Sequence, residues 1–109
     1  MVETRLFGSP ARTRTLALIA LLEQTYPREI ARLGDIPLVS VQRIIANLER
    51  EGVIATRIVG ANRMVSINPR FYGAADLRAL LLKYAKRDSD LESRVVRLRR
   101  RPRQTGSNL

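Results

Sequence analysis

The chain has 109 residues, with 20 Lys and Arg against 10 Asp and Glu, a formal net charge of +10, and neither cysteine nor histidine. This length suits one domain with a modest core, and the charge favours a polyanion such as nucleic acid as partner. The composition excludes thiol redox chemistry, Cys/His metal sites and catalysis by imidazole or thiolate, so we expect no metal and no cofactor. We also expect no enzymatic activity, because capping or solvent exposure explains each candidate acid or base and no nucleophile has a partner in the sequence.

The N-terminal lead carries no membrane-targeting signal. Residues 1–5 lack the long apolar region of an export signal, and no apolar run approaches the ~18 to 20 residues of a spanning helix. The basic segments have no amphipathic face rich in Phe or Trp, so an anionic membrane is a weaker partner than nucleic acid. We expect a cytoplasmic, nucleoid-associated protein with no membrane partner.

The first helix is predicted to begin at Ser9-Pro10 and to run to about Gln24. Serine is a favoured N-cap, and proline fits the first helical position. The helix is apolar nearly all round. It is therefore either a central core helix or one that a second subunit partly covers, and we expect a mixture of the two.

Residues 28–52 carry the pattern of a short helix, a tight turn and a second helix. Gly34 is expected to end the first helix, and Pro37 to occupy the first position of the second. In the second helix Val41, Ile45 and Leu48 recur at i, i+4 and i+7, a stripe that must be buried. The opposite side keeps the residue types that read base edges: Arg for guanine, Gln and Asn for adenine, and aliphatic carbons for the thymine methyl group.

A β-hairpin is predicted after the second helix, which Gly52 closes. Its strands span about 53–59 and 63–68, and Gly60-Ala61-Asn62 supplies the positive-φ positions of the turn. Arg63 lies at the tip, where it can reach a minor groove or a phosphate. An arginine merely exposed to solvent is the alternative interpretation.

Several short segments of this region resemble the winged helix-turn-helix regulators of the ArsR and MarR kind. They are Glu29-Ile30-Ala31, Ile36-Pro37, Ser40-Val41-Gln42-Arg43, Leu48-Glu49-Arg50-Glu51-Gly52-Val53-Ile54, Gly60-Ala61-Asn62-Arg63 and Ile67-Asn68-Pro69. The resemblance implies a mainly α fold with a small β-hairpin, a winged helix-turn-helix over residues 1–73 and additional C-terminal helix or helices. The metal sensing of the ArsR branch is not carried over, because its usual thiolate and imidazole ligands are missing.

Within this framework the recognition helix, about 37–50, would enter the major groove, and the wing, 57–63, would lie on the minor groove or the backbone. Arg28, in the first turn of the preceding helix, would contact a phosphate or be solvated. The predicted DNA-binding residues are Leu38, Val39, Ser40, Gln42, Arg43, Asn47, Arg57, Arg63 and Arg28.

Residues 74–101 are predicted to form a helical dimerisation segment, either one bent helix or two helices broken at Asp88-Ser89-Asp90 with Ser89 and Glu92 as a capping box. Its apolar residues follow an a/d heptad interrupted at Asp88. So small a domain is not expected to bury this stripe itself, so it is interpreted as a homodimer interface; a helix folded back on its own core is the alternative. The stripe comprises Leu77, Leu81, Tyr84, Leu91, Val95 and Leu98.

The C-terminal end is strongly basic, and residues 102–109 are predicted to be a disordered tail. The run can bind phosphate without reading sequence, or it can act as a solubilising end. Its six arginines are Arg94, Arg97, Arg99, Arg100, Arg101 and Arg103.

Two functions are compatible with these patterns. The first is a homodimeric, sequence-specific regulator, a repressor, that binds double-stranded DNA through two recognition helices. The second is an architectural module that coats nucleic acid non-specifically or binds another protein. The apolar Leu38 and Val39 on the reading face favour the second.

Overall fold

The computed structural model describes residues 7–100, with side chains through Leu98. The elements in chain order are α1 (Pro10–Leu22), α2 (Pro27–Gly34), α3 (Leu38–Arg50), β1 (Ile54–Val59), β2 (Asn62–Ile67), α4 (Ala74–Lys86) and α5 (Ser89–Arg100). This architecture confirms the predicted fold class. Predictions for residues 1–6 and 101–109, the disordered tail among them, lie outside the described residues.

Helix α1 is the centre of the core. Ser9 is its N-cap and accepts a hydrogen bond at Oγ from the Arg12 N–H, 3.1 Å away, with Pro10 following as predicted. Every residue from Thr15 to Ala20 is buried. Because α4, α2, α3, β2 and α5 of the same chain all pack against α1, its apolar circumference is explained by the core alone, without a covering subunit.

Helix α2 ends at Gly34, as predicted, and Gly34 also has a role in packing. It is the last helical residue of α2, and the turn is made by Asp35, which adopts the left-handed conformation at φ 55°. Gly34 is buried, and a Cβ there would lie 3.1 Å from both Leu18 Cδ1 and Ile36 Cδ1. The glycine that ends the helix therefore also allows α2 to approach α1 closely.

Helix α3 begins and ends within one residue of the prediction. Pro37 is its N-cap, so Leu38 is the first helical residue. At the other end Gly52 has φ 79°, and the Val53 N–H donates to the Leu48 carbonyl over 2.9 Å while the Gly52 N–H donates to the Glu49 carbonyl over 3.0 Å. These two bonds form a Schellman motif, which confirms that Gly52 closes the helix.

The hairpin β1–β2 turns more tightly than predicted. Val59 pairs with Asn62, so the turn has the two residues Gly60-Ala61, and of its residues only Gly60 has positive φ, at 63°. The base of the wing is anchored by Thr25, because the Val65 N–H donates to the Thr25 carbonyl over 2.7 Å and Thr25 N–H donates back over 3.1 Å. Thr25, which lies in the linker between α1 and α2, thus acts as a one-residue third strand of the sheet.

The C-terminal segment forms two helices, and the break between them has a buried cap. Asp88 precedes α5, and its Oδ1 accepts a hydrogen bond from the Leu91 N–H, 3.1 Å away. Asp88 is buried. The predicted capping box centred on Ser89 is therefore wrong, because the N-cap is the residue before it.

Much of the predicted dimerisation stripe is buried within the single chain. Leu81, Leu91 and Val95 belong to the main core. Leu77, Tyr84 and Leu98 are half-buried, and the Tyr84 ring packs edge-on against Phe7 with centroids 5.9 Å apart. The premise that so small a domain leaves this stripe uncovered is wrong, because α5 folds back across α2 and α1. Dimerisation itself stays a prediction.

Candidate nucleic-acid interface

One face of α3 is left open to solvent along its whole length. Its opposite face, made by Val41, Ile45 and Leu48, is buried as the helical period requires. Because the helix is held by that buried stripe, its outer side chains are presented from a fixed backbone. The exposed residues of the outer face are Val39, Gln42, Arg43, Ala46, Glu49 and Arg50.

Three of the predicted DNA-binding residues of α3 are less exposed than the others. Leu38, Ser40 and Asn47 are half-buried at the edges of this face. Asn47 is also occupied, because its Oδ1 accepts a hydrogen bond of 2.7 Å from Arg50 Nη2. The centre of the face is therefore made by Val39, which is 62% exposed, with Gln42 and Arg43.

Arg43 is the cation best placed to contact an external group. Its guanidinium is exposed, and it forms no ion pair or hydrogen bond with any residue of the described part of the chain. A planar guanidinium with unengaged N–H groups can donate two parallel hydrogen bonds to one acceptor edge. Guanine O6 and N7 provide such an edge in the major groove.

The wing projects beside α3 with its two arginines on opposite faces of the hairpin. The pairing of Ile58 with Arg63 and of Arg57 with Met64 fixes this arrangement, since cross-strand partners share a face. Arg63 is on the face that also carries buried Val65, and this face turns toward the body of the protein. Arg57 lies on the outer face and is exposed.

A carboxylate that the sequence analysis did not single out connects the wing to α3. Glu49 accepts a hydrogen bond at Oε2 from Thr56 Oγ1 over 2.6 Å, and its Oε1 lies 3.8 Å from Arg63 Nη1. The signal available in the sequence was that Glu49 is the only acidic residue in the segments 38–50 and 53–68.

Arg28 is exposed in the first turn of α2, as predicted. The neighbouring Glu29 is instead buried, and it accepts a hydrogen bond from Thr25 Oγ1 over 2.7 Å. This bond secures the start of the helix-turn-helix to the linker that also pairs with the wing. No described contact joins Arg28 to the α3 face or to the wing tip.

Arg94, which belongs to the basic C-terminal run, forms a structural hydrogen bond within the protein. Its Nη1 donates to the Leu33 carbonyl over 2.7 Å, and Arg14 Nη1 donates to the Gly34 carbonyl over 2.7 Å. Two guanidinium groups therefore cap the C-terminal end of α2, where cations are favoured.

Among residues 7–100, no helix is long and apolar enough to cross a membrane.

Comparisons with known proteins identify the architecture. No family model matches the chain, and no curated protein matches it. Several solved structures do match the chain. The adhesin competence repressor AdcR from Streptococcus pyogenes superposes with a TM-score of 0.60 at 11% identity, over 82% of this chain and 66% of that one.

Two further structures are similar to the same extent. A mutant MarR from E. coli complexed with operator DNA gives a TM-score of 0.57 at 16% identity, over 73% of this chain and 57% of MarR. The MarR family transcriptional regulator SPO1453 from Silicibacter pomeroyi gives 0.56 at 19% identity, over 86% and 65%. The chain thus spans between 57 and 66% of these proteins. They establish a winged-helix fold of the MarR type and give no specific support to the ArsR half of the resemblance.

Proposed function

We propose that this chain is a sequence-specific regulator of transcription that binds double-stranded DNA. In this proposal α3 lies in the major groove with Val39, Gln42 and Arg43 toward the bases. Arg63, and on the other face Arg57, reach the minor groove or the backbone from the wing. Arg28 positions the protein by binding a phosphate of the DNA backbone. Ser40, Asn47 and Leu38 border the face of α3 that contacts the bases.

The observation that carries the proposal is the exposed, unengaged Arg43 at the centre of the open face of α3. Directional donors held on a rigid helix are what base recognition requires. The excess of 20 basic over 10 acidic residues supports the same partner. The fold shared with MarR, which is solved with operator DNA, supports it further.

We further propose that the regulator acts as a homodimer and as a repressor in the nucleoid. Two copies related by a two-fold axis would place their recognition helices in successive major grooves, about 34 to 36 Å apart, on a palindromic site. One of the structural neighbours is itself described as a repressor.

Selection from a pool of random duplexes tests the proposal. The wild-type chain should enrich one palindromic motif. Arg43→Ala should lose about 1 to 3 kcal/mol of binding free energy and relax the preference at one base pair of each half-site. The matched control is Arg32→Ala, which removes another exposed arginine from the same motif, on α2. Selection of the same motif with the same affinity by Arg43→Ala would contradict the register of α3.

The alternative is a module that coats nucleic acid non-specifically or binds another protein. The observation in its favour is the aliphatic character of the surface, since Val39 is 62% and Ile58 68% exposed. Under this alternative the same selection returns no enriched motif.

A further inference from the structure

We propose that Glu49 is a positioning residue that directs the wing arginine Arg63 toward the DNA read by α3. The proposal rests on the proposed DNA-binding function and deepens it, because it concerns how the two DNA-contacting elements are held in register. It assigns a role to the one acidic residue of α3, a helix that also carries Arg43 and Arg50.

The wing needs an external support beyond its base. A two-stranded hairpin is marginally stable by itself. Val65 is buried and is bonded to Thr25. Beyond the Thr56–Val65 pair, the residues from Arg57 to Arg63 are exposed. No core contact therefore fixes the direction of the outer half of the hairpin.

Glu49 provides this support to both strands at once. One carboxylate oxygen accepts the Thr56 hydroxyl of β1 over 2.6 Å, and the other lies 3.8 Å from the Arg63 guanidinium of β2. The first contact is a short, charge-assisted hydrogen bond, whereas the second is long enough to yield to a phosphate. A single side chain on α3 thus holds the hairpin and keeps Arg63 on the side facing the helix.

The negative charge of Glu49 acts against DNA binding, whereas its positioning of Arg63 acts in favour of it, and this difference in sign makes the positioning role testable. A carboxylate repels phosphate, so a residue that only competed for Arg63 would weaken binding, and its removal would release the arginine. A positioning residue has the opposite effect, because without it Arg63 no longer contributes. The sign of the coupling between Glu49 and Arg63 separates the two roles.

The experiment is a double-mutant cycle on a fluorescent duplex that carries the site selected by the wild-type chain. In the wild-type background, Arg63→Ala should weaken binding by about tenfold. In the Glu49→Ala background the same change should cost less than about threefold. A larger cost in the Glu49→Ala background, or an equal one, would overturn the positioning role.

Three variants separate this effect from charge and from folding. Glu51→Ala removes the same charge two residues later, where Glu51 pairs with Arg12 over 3.5 Å, and it should leave the cost of Arg63→Ala unchanged. Thr56→Val removes one support without changing any charge and should reduce that cost as Glu49→Ala does. Glu49→Gln keeps an acceptor for Thr56 Oγ1 and should give an intermediate cost.

Chemical protection of the duplex gives a second readout. With Glu49→Ala, protection of adenine N3 in the minor groove should be lost while protection of guanine N7 in the major groove remains. Equal loss of both protections would indicate general misfolding and overturn the proposal. If the wild-type chain prefers no sequence, the proposed function and this inference fail together; if it prefers one and the coupling is absent, only this inference fails.

Discussion

The guanidinium of Arg94 donates a hydrogen bond of 2.7 Å to the carbonyl of Leu33, 61 residues earlier in the chain. The bond joins α5 to the last turn of α2, so the C-terminal helix braces the helix-turn-helix. An arginine from a run expected to bind phosphate is thereby a structural part of the domain.

This relationship predicts that Arg94→Ala destabilises the protein. It removes a half-buried hydrogen bond and a cation from the carbonyl end of α2, which together contribute about 1 to 2 kcal/mol to the free energy of unfolding. Urea unfolding followed by circular dichroism measures the change. The control is Arg97→Ala on the exposed side of α5, which should stay within about 0.5 kcal/mol. Equal effects of the two substitutions would show that the bond is unimportant.

The buried cap of α5 gives a second prediction. Asp88→Ala leaves the Leu91 N–H without its acceptor and should lower the free energy of unfolding by about 1 to 2 kcal/mol. Asp88→Asn keeps a capping oxygen and should retain most of that stability. Ser89→Ala should be nearly neutral, although the sequence favoured Ser89 as the cap. Greater destabilisation by Ser89→Ala than by Asp88→Ala would instead support Ser89 as the N-cap of α5.

A third prediction concerns the homodimer. Leu80 and Val96 are the large apolar side chains that α4 and α5 expose among the described residues, at 39 and 43%. We expect them to contribute to the interface in place of the buried Leu81, Leu91 and Val95. The wild-type protein should therefore sediment with the mass of two chains, and Leu80→Glu should sediment with the mass of one chain while the fold persists. Leu81→Glu should instead unfold the domain. A Leu80→Glu protein that still sediments as a dimer would show that the interface lies elsewhere.

A fourth prediction concerns the exposed Val39 on α3. An aliphatic side chain in the major groove is suited to the thymine methyl group. Replacing thymine by uracil at one position of the half-site should weaken wild-type binding by about threefold to fivefold, the value of one buried methyl group. The same replacement should have no effect on Val39→Ala. If the wild-type chain and Val39→Ala lose affinity equally at every thymine, Val39 does not read a base.

The sequence predicted the local features of this fold well. The period of Val41, Ile45 and Leu48 fixes which side of α3 is buried, and Ser9 and Gly52 mark helix ends through bonds that span only a few residues. These signals are local, so one sequence is sufficient to read them.

The remaining features depend on contacts distant in sequence. The heptad of residues 77–98 by itself predicts an interface, because nothing local shows that α5 turns back onto α2 or that Asp88 is a buried cap. The pairing of Glu49 with Arg63 likewise requires the wing to fold over the end of α3. The basic composition predicts only a surface that attracts phosphate, and it does not show where Glu49 lies within that surface.

The most direct test of the regulator assignment is a competition between two duplexes for the wild-type protein at one stated salt concentration, the selected site and a scrambled site of the same composition. We expect the dissociation constant for the scrambled duplex to be larger by a factor on the order of 10³ or more. A ratio near one, with both affinities falling equally as salt is raised, would contradict it and leave a non-specific basic domain.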